Sequence, residues 1–189
     1  MKGKYIIISA PSGAGKSTLI RAIRETCSDC NLAFSVSMTT RQPRQGEVDG
    51  VHYFFVSHEE FKESISKGHL LEWQEVHGNF YGTPRKPVEQ LSSEGKNVIL
   101  DIDVKGGWNI KHNRITDSHA IFIMSPSKEE LRKRLVLRGT ETEDQINKRM
   151  ERVEKEIAYA KDFDKVIIND VLSASIEELT AIIREYLNK

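Results

Sequence analysis

A glycine-rich segment near the amino terminus carries residue types that bind phosphate. Residues 10–18 read Ala-Pro-Ser-Gly-Ala-Gly-Lys-Ser-Thr and follow an apolar run. Glycines at this spacing let backbone N–H groups turn towards phosphate oxygens, and the positive end of a following helix faces the same anion. A lysine in this pattern reaches the β- and γ-phosphates, and the next hydroxyl is a Mg²⁺ ligand. Lys16 and Ser17 therefore predict a nucleoside triphosphate site.

We call residues 10–18 the phosphate loop. A glycine-rich turn that binds nothing would explain Gly13 and Gly15 but would leave Lys16 and Ser17 unexplained. The residues expected to contact ATP here are Ser12, Gly13, Ala14, Gly15, Lys16, Ser17 and Thr18.

Two carboxylates end a later apolar run. Asp101 and Asp103 follow Val98, Ile99 and Leu100 and are two residues apart, so in a strand their side chains point the same way. Either carboxylate could act on an acceptor or, through water, on Mg²⁺. The alternative is a strand-end aspartate that caps the next helix. The pattern favours function for Asp101 and leaves both interpretations open for Asp103.

Two groups of arginines could hold further phosphates. Arg41 and Arg44 are three residues apart in a polar segment stiffened by proline, so two guanidinium groups could converge on one dianionic phosphate. Arg134 and Arg138 lie at i and i+4 on one predicted helix face, and Arg149 follows. The alternative for both groups is a solvated, salt-bridged surface. For Arg41 and Arg44, beside a phosphate loop, function is favoured because phosphoryl transfer also needs a held acceptor, whereas for Arg134, Arg138 and Arg149 both interpretations stay open.

The elements that must position these residues form an alternating pattern. Apolar runs rich in Ile, Val and Phe predict buried strands at residues 5–10, 32–36, 97–103, 120–124 and 165–169. Helix starts are predicted by the capping-box pairs Ser57/Glu60, Ser127/Glu130, Thr142/Gln145 and Ser175/Glu178. Continuous apolar strands between amphipathic helices predict an α/β fold with a parallel sheet covered on both faces.

Two segments interrupt the alternation. Residues 37–87 contain two short strand-like pieces, 51–56 and 70–76, and predict an insertion of mixed structure. A second polar stretch, residues 138–143, joins two highly charged helices. Neither segment resembles an interdomain linker, so we expect one domain over residues 1–189.

Composition restricts the classes of partner. The 189 residues include 28 Lys and Arg against 28 Asp and Glu, a net charge of zero. A general polyanion binder needs a basic surplus, so nucleic acid or an anionic membrane is not expected as the main partner. Nothing approaches the roughly 18 apolar residues of a membrane span. We expect a cytoplasmic protein, and a homo-oligomer remains open.

The cysteines form a lone pair of residues spaced C-x2-C. Cys27 and Cys30 lack the second pair, or the histidines at ligand spacing, that a zinc site requires. We therefore expect ordinary thiols at a helix end, in a reducing compartment.

The chain resembles the guanylate kinase family along essentially its whole length. The stretches that carry the resemblance are residues 10–18, 37–47, 71–73, 78–83, 99–103 and 138–142. The resemblance implies MgATP as donor and GMP or dGMP as acceptor, in purine nucleotide metabolism and GMP recycling. It also implies a P-loop core (about 1–36, 89–127 and 161–189), a GMP-binding insertion (about 37–88) and a mobile helical lid (about 128–160).

The resemblance also implies roles for particular residues. The acceptor side comprises Arg41, Arg44, Tyr53 and Tyr81 for the GMP phosphate, Ser37, Glu72 and Thr83 for guanine, and Glu47, Asp101 and Asp103 besides. The catalytic set comprises Lys16, Arg41, Arg134, Arg138 and Arg149, with Asn169 and Asp170 near adenine. The sequence departs from the family pattern at Ala10, Met38 and Thr83, and threonine keeps the hydroxyl that guanine reading needs.

Three other functions stay open at this stage. Guanylate-kinase-like domains also serve as binding modules, although here the phosphate loop and the lid arginines are complete. A related P-loop kinase could act on another phosphorylated acceptor, such as a ribose phosphate. A P-loop NTPase could couple hydrolysis to motion, which the short insertion and lid do not favour.

Overall fold

A computed structural model describes residues 1–76, 78–113, 115, 117–137 and 142–188. The strands are β1 (Tyr5–Ser9), β2 (Leu32–Phe34), β3 (Ser37–Thr39), β4 (Tyr53–Phe55), β5 (Leu70–Val76), β6 (Asn79–Pro84), β7 (Asn97–Asp101), β8 (Ser118–Met124) and β9 (Lys165–Ile168). The α-helices are α1 (Lys16–Thr26), α2 (His58–Ser66), α3 (Arg85–Ser93), α4 (Val104–Asn113), α5 (Lys128–Leu137), α6 (Glu143–Ile157) and α7 (Leu172–Leu187).

The main sheet is parallel, with the strand order β2-β7-β1-β8-β9. Side chains of β1 alternate between its two faces. Ile6 and Ile8 pack into a cluster with residues of α1 and α7, whereas Ile7 packs into a second cluster with residues of α3 and α4. Both faces are thus covered by helices, which explains the continuously apolar strands and confirms the predicted α/β fold.

The insertion forms a second, mixed sheet with the order β4-β3-β6-β5. Its core is aromatic: Phe61 of α2 is fully buried and stacks on Phe80 of β6, with ring centroids 5.4 Å apart. Strands β4 and β5 were predicted, but β3 and β6 were not. Strand β6 includes Asn79, Gly82 and Pro84, residues with low strand propensity, and it forms because it pairs with β5 on one side and β3 on the other.

The helices of the structure can be compared with the four helix starts that the capping-box pairs predict. Full capping boxes occur at Ser57 and Thr142, and the Ser127 hydroxyl accepts the Glu130 N–H at 3.1 Å. The prediction at Ser175 was wrong. Ser175 is buried inside α7, and its N–H donates to the Val171 carbonyl, so the helix has already made a turn before this residue.

The cysteines lie at a helix end, as expected. Cys27 caps the carboxyl end of α1, and both thiols are free and buried in the core cluster beneath that helix. Among the described residues, no group of histidine, cysteine and carboxylate side chains has the arrangement of a metal-binding cluster.

Helix α4 crosses β1 so closely that only glycine fits at the contact. A Cβ atom at Gly107 would lie 2.3 Å from Ser9 Oγ and 3.1 Å from Ile7 Cγ2. We expect Gly107→Ala to lower the free energy of unfolding by about 2 kcal/mol, because overpacking outweighs alanine's better helix propensity. Urea denaturation measures the change. Lys105→Ala, at an exposed position of the same helix, should stay within about 0.5 kcal/mol of wild type. Equal stability of the two variants would contradict this packing.

Candidate active site

The phosphate loop connects β1 to α1 at the carboxyl edge of the main sheet. Gly13 and Gly15 have φ angles of 94° and 93°, a left-handed conformation that favours glycine. A Cβ at Gly15 would also lie 2.2 Å from Nδ2 of Asn169. Helix α1 begins at Lys16, so its unpaired N–H groups and positive dipole end lie at the loop. The predicted anion-binding geometry is therefore present.

Lys16 links the loop to the end of β7. Its ammonium donates to the Ile102 carbonyl at 2.8 Å and lies 2.7 Å from Asp101 Oδ1. The parallel pairing of β1 with β7 places Ile8 beside Asp101, which brings the two ends together. The Ser17 hydroxyl and the half-exposed Asp101 carboxylate face one cavity and are hard oxygen donors, so this donor set fits Mg²⁺.

A cavity of about 420 Å³ lies between the loop, the second sheet and α6. The predicted site residues in its wall are Ser12, Gly13, Gly15, Lys16, Ser17, Ser37, Arg44, Tyr53, Glu72, Tyr81, Asp101, Asp103 and Arg149. The other predicted site residues among the described ones do not line the cavity, namely Ala14, Thr18, Arg41, Glu47, Thr83, Arg134 and Asn169. The fold thus brings together, in one cavity, residues from the loop, the insertion, β7 and α6.

Glu72 is a buried carboxylate on the insertion side of the cavity. It is 6% exposed, and its Oε1 accepts the Thr83 hydroxyl at 2.7 Å across the β5–β6 pair. Burial raises the pKa of Glu72 to about 7 against the lowering effect of that hydrogen bond, and the nearby Asp103 charge raises it further. A cavity-facing carboxylate with this environment favours a ligand that donates hydrogen bonds to it.

The second sheet and the loop after β3 place two tyrosines and two arginines near this carboxylate. The rings of Tyr53 and Tyr81 meet edge to face, with centroids 6.1 Å apart. Arg41 and Arg44 make different contacts. The Arg41 guanidinium pairs with Glu47 at 2.8 Å, which raises the pKa of Arg41, and lies over the Tyr53 ring, whereas Arg44 lines the cavity. Glu47 also accepts the Arg44 N–H at 2.7 Å and so shapes the loop.

Asp103 makes the capping contact that one of the two sequence interpretations predicts, and its functional interpretation stays a prediction. Its Oδ1 accepts the Gly106 N–H at 2.7 Å at the start of α4, which is a helix-capping contact. Its Oδ2 lies in the cavity, 3.5 Å from the Arg152 guanidinium. Asp101 makes the ion pair with Lys16 and therefore lies nearer the phosphate loop.

The arginines of α5 and α6 make different contacts near the loop. Arg149 Nη1 donates to the Ser12 hydroxyl at 2.9 Å, whereas Arg134 donates to the Asn169 carbonyl at 3.0 Å and to Glu130 at 3.1 Å. Asn169 is buried, and its amide donates to the Ala14 carbonyl at 2.8 Å, so it supports the loop from behind. Asp170 is exposed, and the predicted site residue Arg138 lies outside the described residues.

Sequence reasoning missed several residues of the cavity wall. Gln74, Val76, Arg152 and Glu156 also line it. One available signal was the spacing of Arg149, Arg152 and Glu156, which places three charged residues on one face of α6.

The phosphate loop after the central strand, and an inserted sheet that brings a second set of polar groups to the same cavity, define a P-loop nucleotide kinase. Among the described residues, no helix combines the length and apolarity needed to cross a bilayer.

Comparison with known proteins identifies the family. A model of the guanylate kinase family matches residues 2–186. The guanylate kinases of Halalkalibacterium halodurans and Escherichia coli K12 are each 47% identical to the chain, over 96% and 97% of it and 88% of either relative. The crystal structure of guanylate kinase from Anaplasma phagocytophilum superposes with a TM-score of 0.78 and 33% identity, covering 100% of this chain and 88% of that one. The chain belongs to the guanylate kinase family and is an enzyme of the transferase class.

Proposed function

We propose that this enzyme transfers the γ-phosphoryl group of MgATP to GMP or dGMP, giving ADP and the nucleoside diphosphate, in cytoplasmic purine nucleotide metabolism and GMP recycling. The observation that carries the proposal is the buried Glu72 carboxylate facing the same cavity as the phosphate loop. Family membership supports ATP as donor and GMP as acceptor.

Donor binding would rest on the phosphate loop. Its N–H groups and Lys16 would hold the β- and γ-phosphates, and Arg149 would reach them from α6. Ser17, with Asp101 through water, would hold Mg²⁺. Mg²⁺ held there would supply positive charge that offsets the negative charge of the donor phosphates.

Guanine recognition would rest on Glu72. Guanine presents N1–H and N2–H₂ side by side, and one carboxylate can accept both hydrogen bonds. Thr83 and Ser37 would add hydroxyl groups, of which one can donate to O6. Adenine lacks these donors and would leave a buried carboxylate unpaired, a mismatch that sites of this kind reject by roughly 10⁴-fold.

Catalysis would consist of positioning and charge neutralisation. The nucleophile is an anionic oxygen of the GMP phosphate, so no strong general base is needed. Arg44, Tyr53 and Tyr81, with Arg41 behind them, would orient that phosphate. We further propose that the insertion (about 37–88) and the lid (about 128–160) close on the bound nucleotides and exclude water as a competing acceptor.

The test is a coupled assay of ADP release with MgATP and GMP, dGMP, AMP, UMP, ribose 5-phosphate or no acceptor. Release that depends on GMP and dGMP is expected. Release without an acceptor would indicate an NTPase, and release with the sugar phosphate a different kinase. Absence of release with every acceptor, while calorimetry still detects nucleotide binding, would indicate a binding module.

Arg44→Ala should raise the KM for GMP about 30-fold and leave the KM for ATP within about twofold. The guanidinium lines the acceptor side of the cavity and would lose a charge-assisted contact with phosphate, an interaction of roughly 2 kcal/mol. Steady-state kinetics with each nucleotide varied in turn measures both constants. Gln45→Ala, the exposed neighbour in the same loop, is the matched control. An unchanged KM for GMP would exclude Arg44 from phosphate binding.

A further inference from the structure

Helix α6 presents a row of three charged residues to the cavity. Arg149, Arg152 and Glu156 are spaced by three and four residues, so they share one face of the helix, and all three line the cavity wall. Arg149 contacts the phosphate loop through Ser12. The other two lie further along the helix, towards the end of β7. The row therefore extends from the side of the cavity where the phosphoryl donor would bind, at the phosphate loop, to the side where the acceptor would bind.

Arg152 lies between two carboxylates that belong to different parts of the fold. Its Nε donates to Glu156 Oε1 at 2.6 Å, on the same helix. Its Nη2 lies 3.5 Å from Asp103 Oδ2, just beyond β7. Glu156 is buried, with 7% of its surface exposed, so its charge is poorly screened by water. Arg152 thus connects the lid helix to the core through an ion pair at the cavity wall.

Without Arg152, like charges would face each other where α6 meets the core. Burial is the largest cause of the raised pKa of Glu156, and the Asp103 charge raises that pKa as well, because two ionised carboxylates at this position repel each other. Lys16 also faces Glu156, but its ammonium is held by Asp101 and the Ile102 carbonyl. Loss of the Arg152 charge would therefore push α6 away from the core.

We infer that Arg152 is a positioning residue for phosphoryl transfer, which holds α6 against the core by neutralising Asp103 and Glu156 and so keeps Arg149 at the phosphate loop. This inference rests on the proposed function, because it assigns Arg149 to the donor phosphates. Arg152 acts through α6 and needs no contact with substrate.

The competing role is direct contact between Arg152 and a substrate phosphate. The two roles differ in their response to Glu156. If Arg152 only neutralises carboxylates, removing the Glu156 charge makes Arg152 partly dispensable. If Arg152 binds phosphate, Glu156→Gln cannot replace it. A double-mutant cycle separates the two, because coupled residues give non-additive effects.

The experiment compares wild type with Arg152→Ala, Arg152→Lys, Glu156→Gln and Arg152→Ala/Glu156→Gln. Arg152→Ala should lower kcat roughly tenfold and raise the KM of either nucleotide by at most about threefold. Arg152→Lys should recover most of the loss, and the double variant should come within about threefold of Glu156→Gln. Lys148→Ala, at an exposed position of α6, is the control. A double variant no faster than Arg152→Ala, or an unaffected Arg152→Ala, would overturn the inference.

A second readout does not depend on turnover. Hydrogen exchange of the α6 amides, with a non-hydrolysable ATP analogue bound, should be faster in Arg152→Ala than in wild type and slow again in the double variant. If wild type shows no GMP-dependent ADP release, the proposed function fails while this readout still tests the contact. Unchanged α6 protection in Arg152→Ala would overturn the inference whatever the acceptor is.

Discussion

Lys16→Met should lower kcat by at least about 10³-fold and leave the protein folded. The Lys16 ammonium is the charged group of the phosphate loop that reaches towards the reacting phosphates. Removing one preorganised hydrogen-bond donor that stabilises the charge of the transition state lowers kcat by this order. In the structure the ammonium contacts only the half-exposed Asp101 and one backbone carbonyl, among the described residues. The melting temperature should therefore change by no more than about 3 °C. The coupled assay measures kcat, and calorimetry measures the melting temperature and so tests whether the variant is folded.

The matched control is Lys133→Met, which removes an exposed lysine from α5. Its kcat should equal that of wild type. If the kcat of Lys16→Met lies within tenfold of the wild-type value, the phosphate loop does not have the catalytic role assigned to it. A Lys16→Met protein that fails to melt cooperatively would instead give Lys16 a structural role, contrary to the geometry at the end of β7.

Glu72→Gln should lower kcat/KM for GMP by roughly 10³-fold and leave the KM for ATP nearly unchanged. Glutamine replaces one of two acceptor oxygens with a donor, which faces the N–H groups of guanine instead of accepting from them. Kinetics with GMP and AMP measures the loss of selectivity. Glu75→Gln, an exposed glutamate of the same strand, is the control and should behave as wild type. Unchanged GMP kinetics would exclude Glu72 from guanine recognition.

The pKa of Glu72 adds a pH signature to the same variant. Burial raises the pKa from 4.5 to about 7, so the folded state binds this proton more tightly than the unfolded state. The stabilising contribution of Glu72 is therefore fully present below pH 4.5 and is lost as the pH rises through about 7. Above pH 7 the buried charge opposes folding, and Glu72→Gln should stabilise the ligand-free protein, by up to about 3 kcal/mol.

Thermal melting at pH 4 and pH 8 measures this effect, which should appear only at the higher pH. Kinetics provides the complementary measurement. The wild-type KM for GMP should rise as the pH falls below about 7, because the carboxylate must be ionised to accept two hydrogen bonds. In Glu72→Gln, the KM for GMP should not show this rise as the pH falls. If Glu72→Gln is less stable than wild type at pH 8, the ionised Glu72 does not destabilise the folded protein. That result would contradict the assignment of Glu72 as a binding residue that lowers stability.

Local sequence determined the parts of this protein that depend on local physics. The apolar runs specified the strands of the main sheet because buried parallel strands need apolar side chains on both faces. Ser57 and Thr142 specified helix starts because a cap needs only neighbours three residues away. The phosphate loop could be predicted from the sequence for the same reason, because two glycines, Lys16 and Ser17 act within one short turn.

The tertiary structure decided what depends on contacts between distant segments. Strand β6 forms by pairing rather than by its own propensity, and α7 begins before Ser175, which packing of the helix against the core buries. Glu72 could not be distinguished from a surface glutamate by its neighbours in sequence; burial and Thr83 give it its altered pKa. Arg152 joins Asp103 across 49 residues, and that contact exists only once α6 lies against the core. Long-range contacts follow from the relative placement of elements, and no local pattern in the sequence encodes that placement by itself.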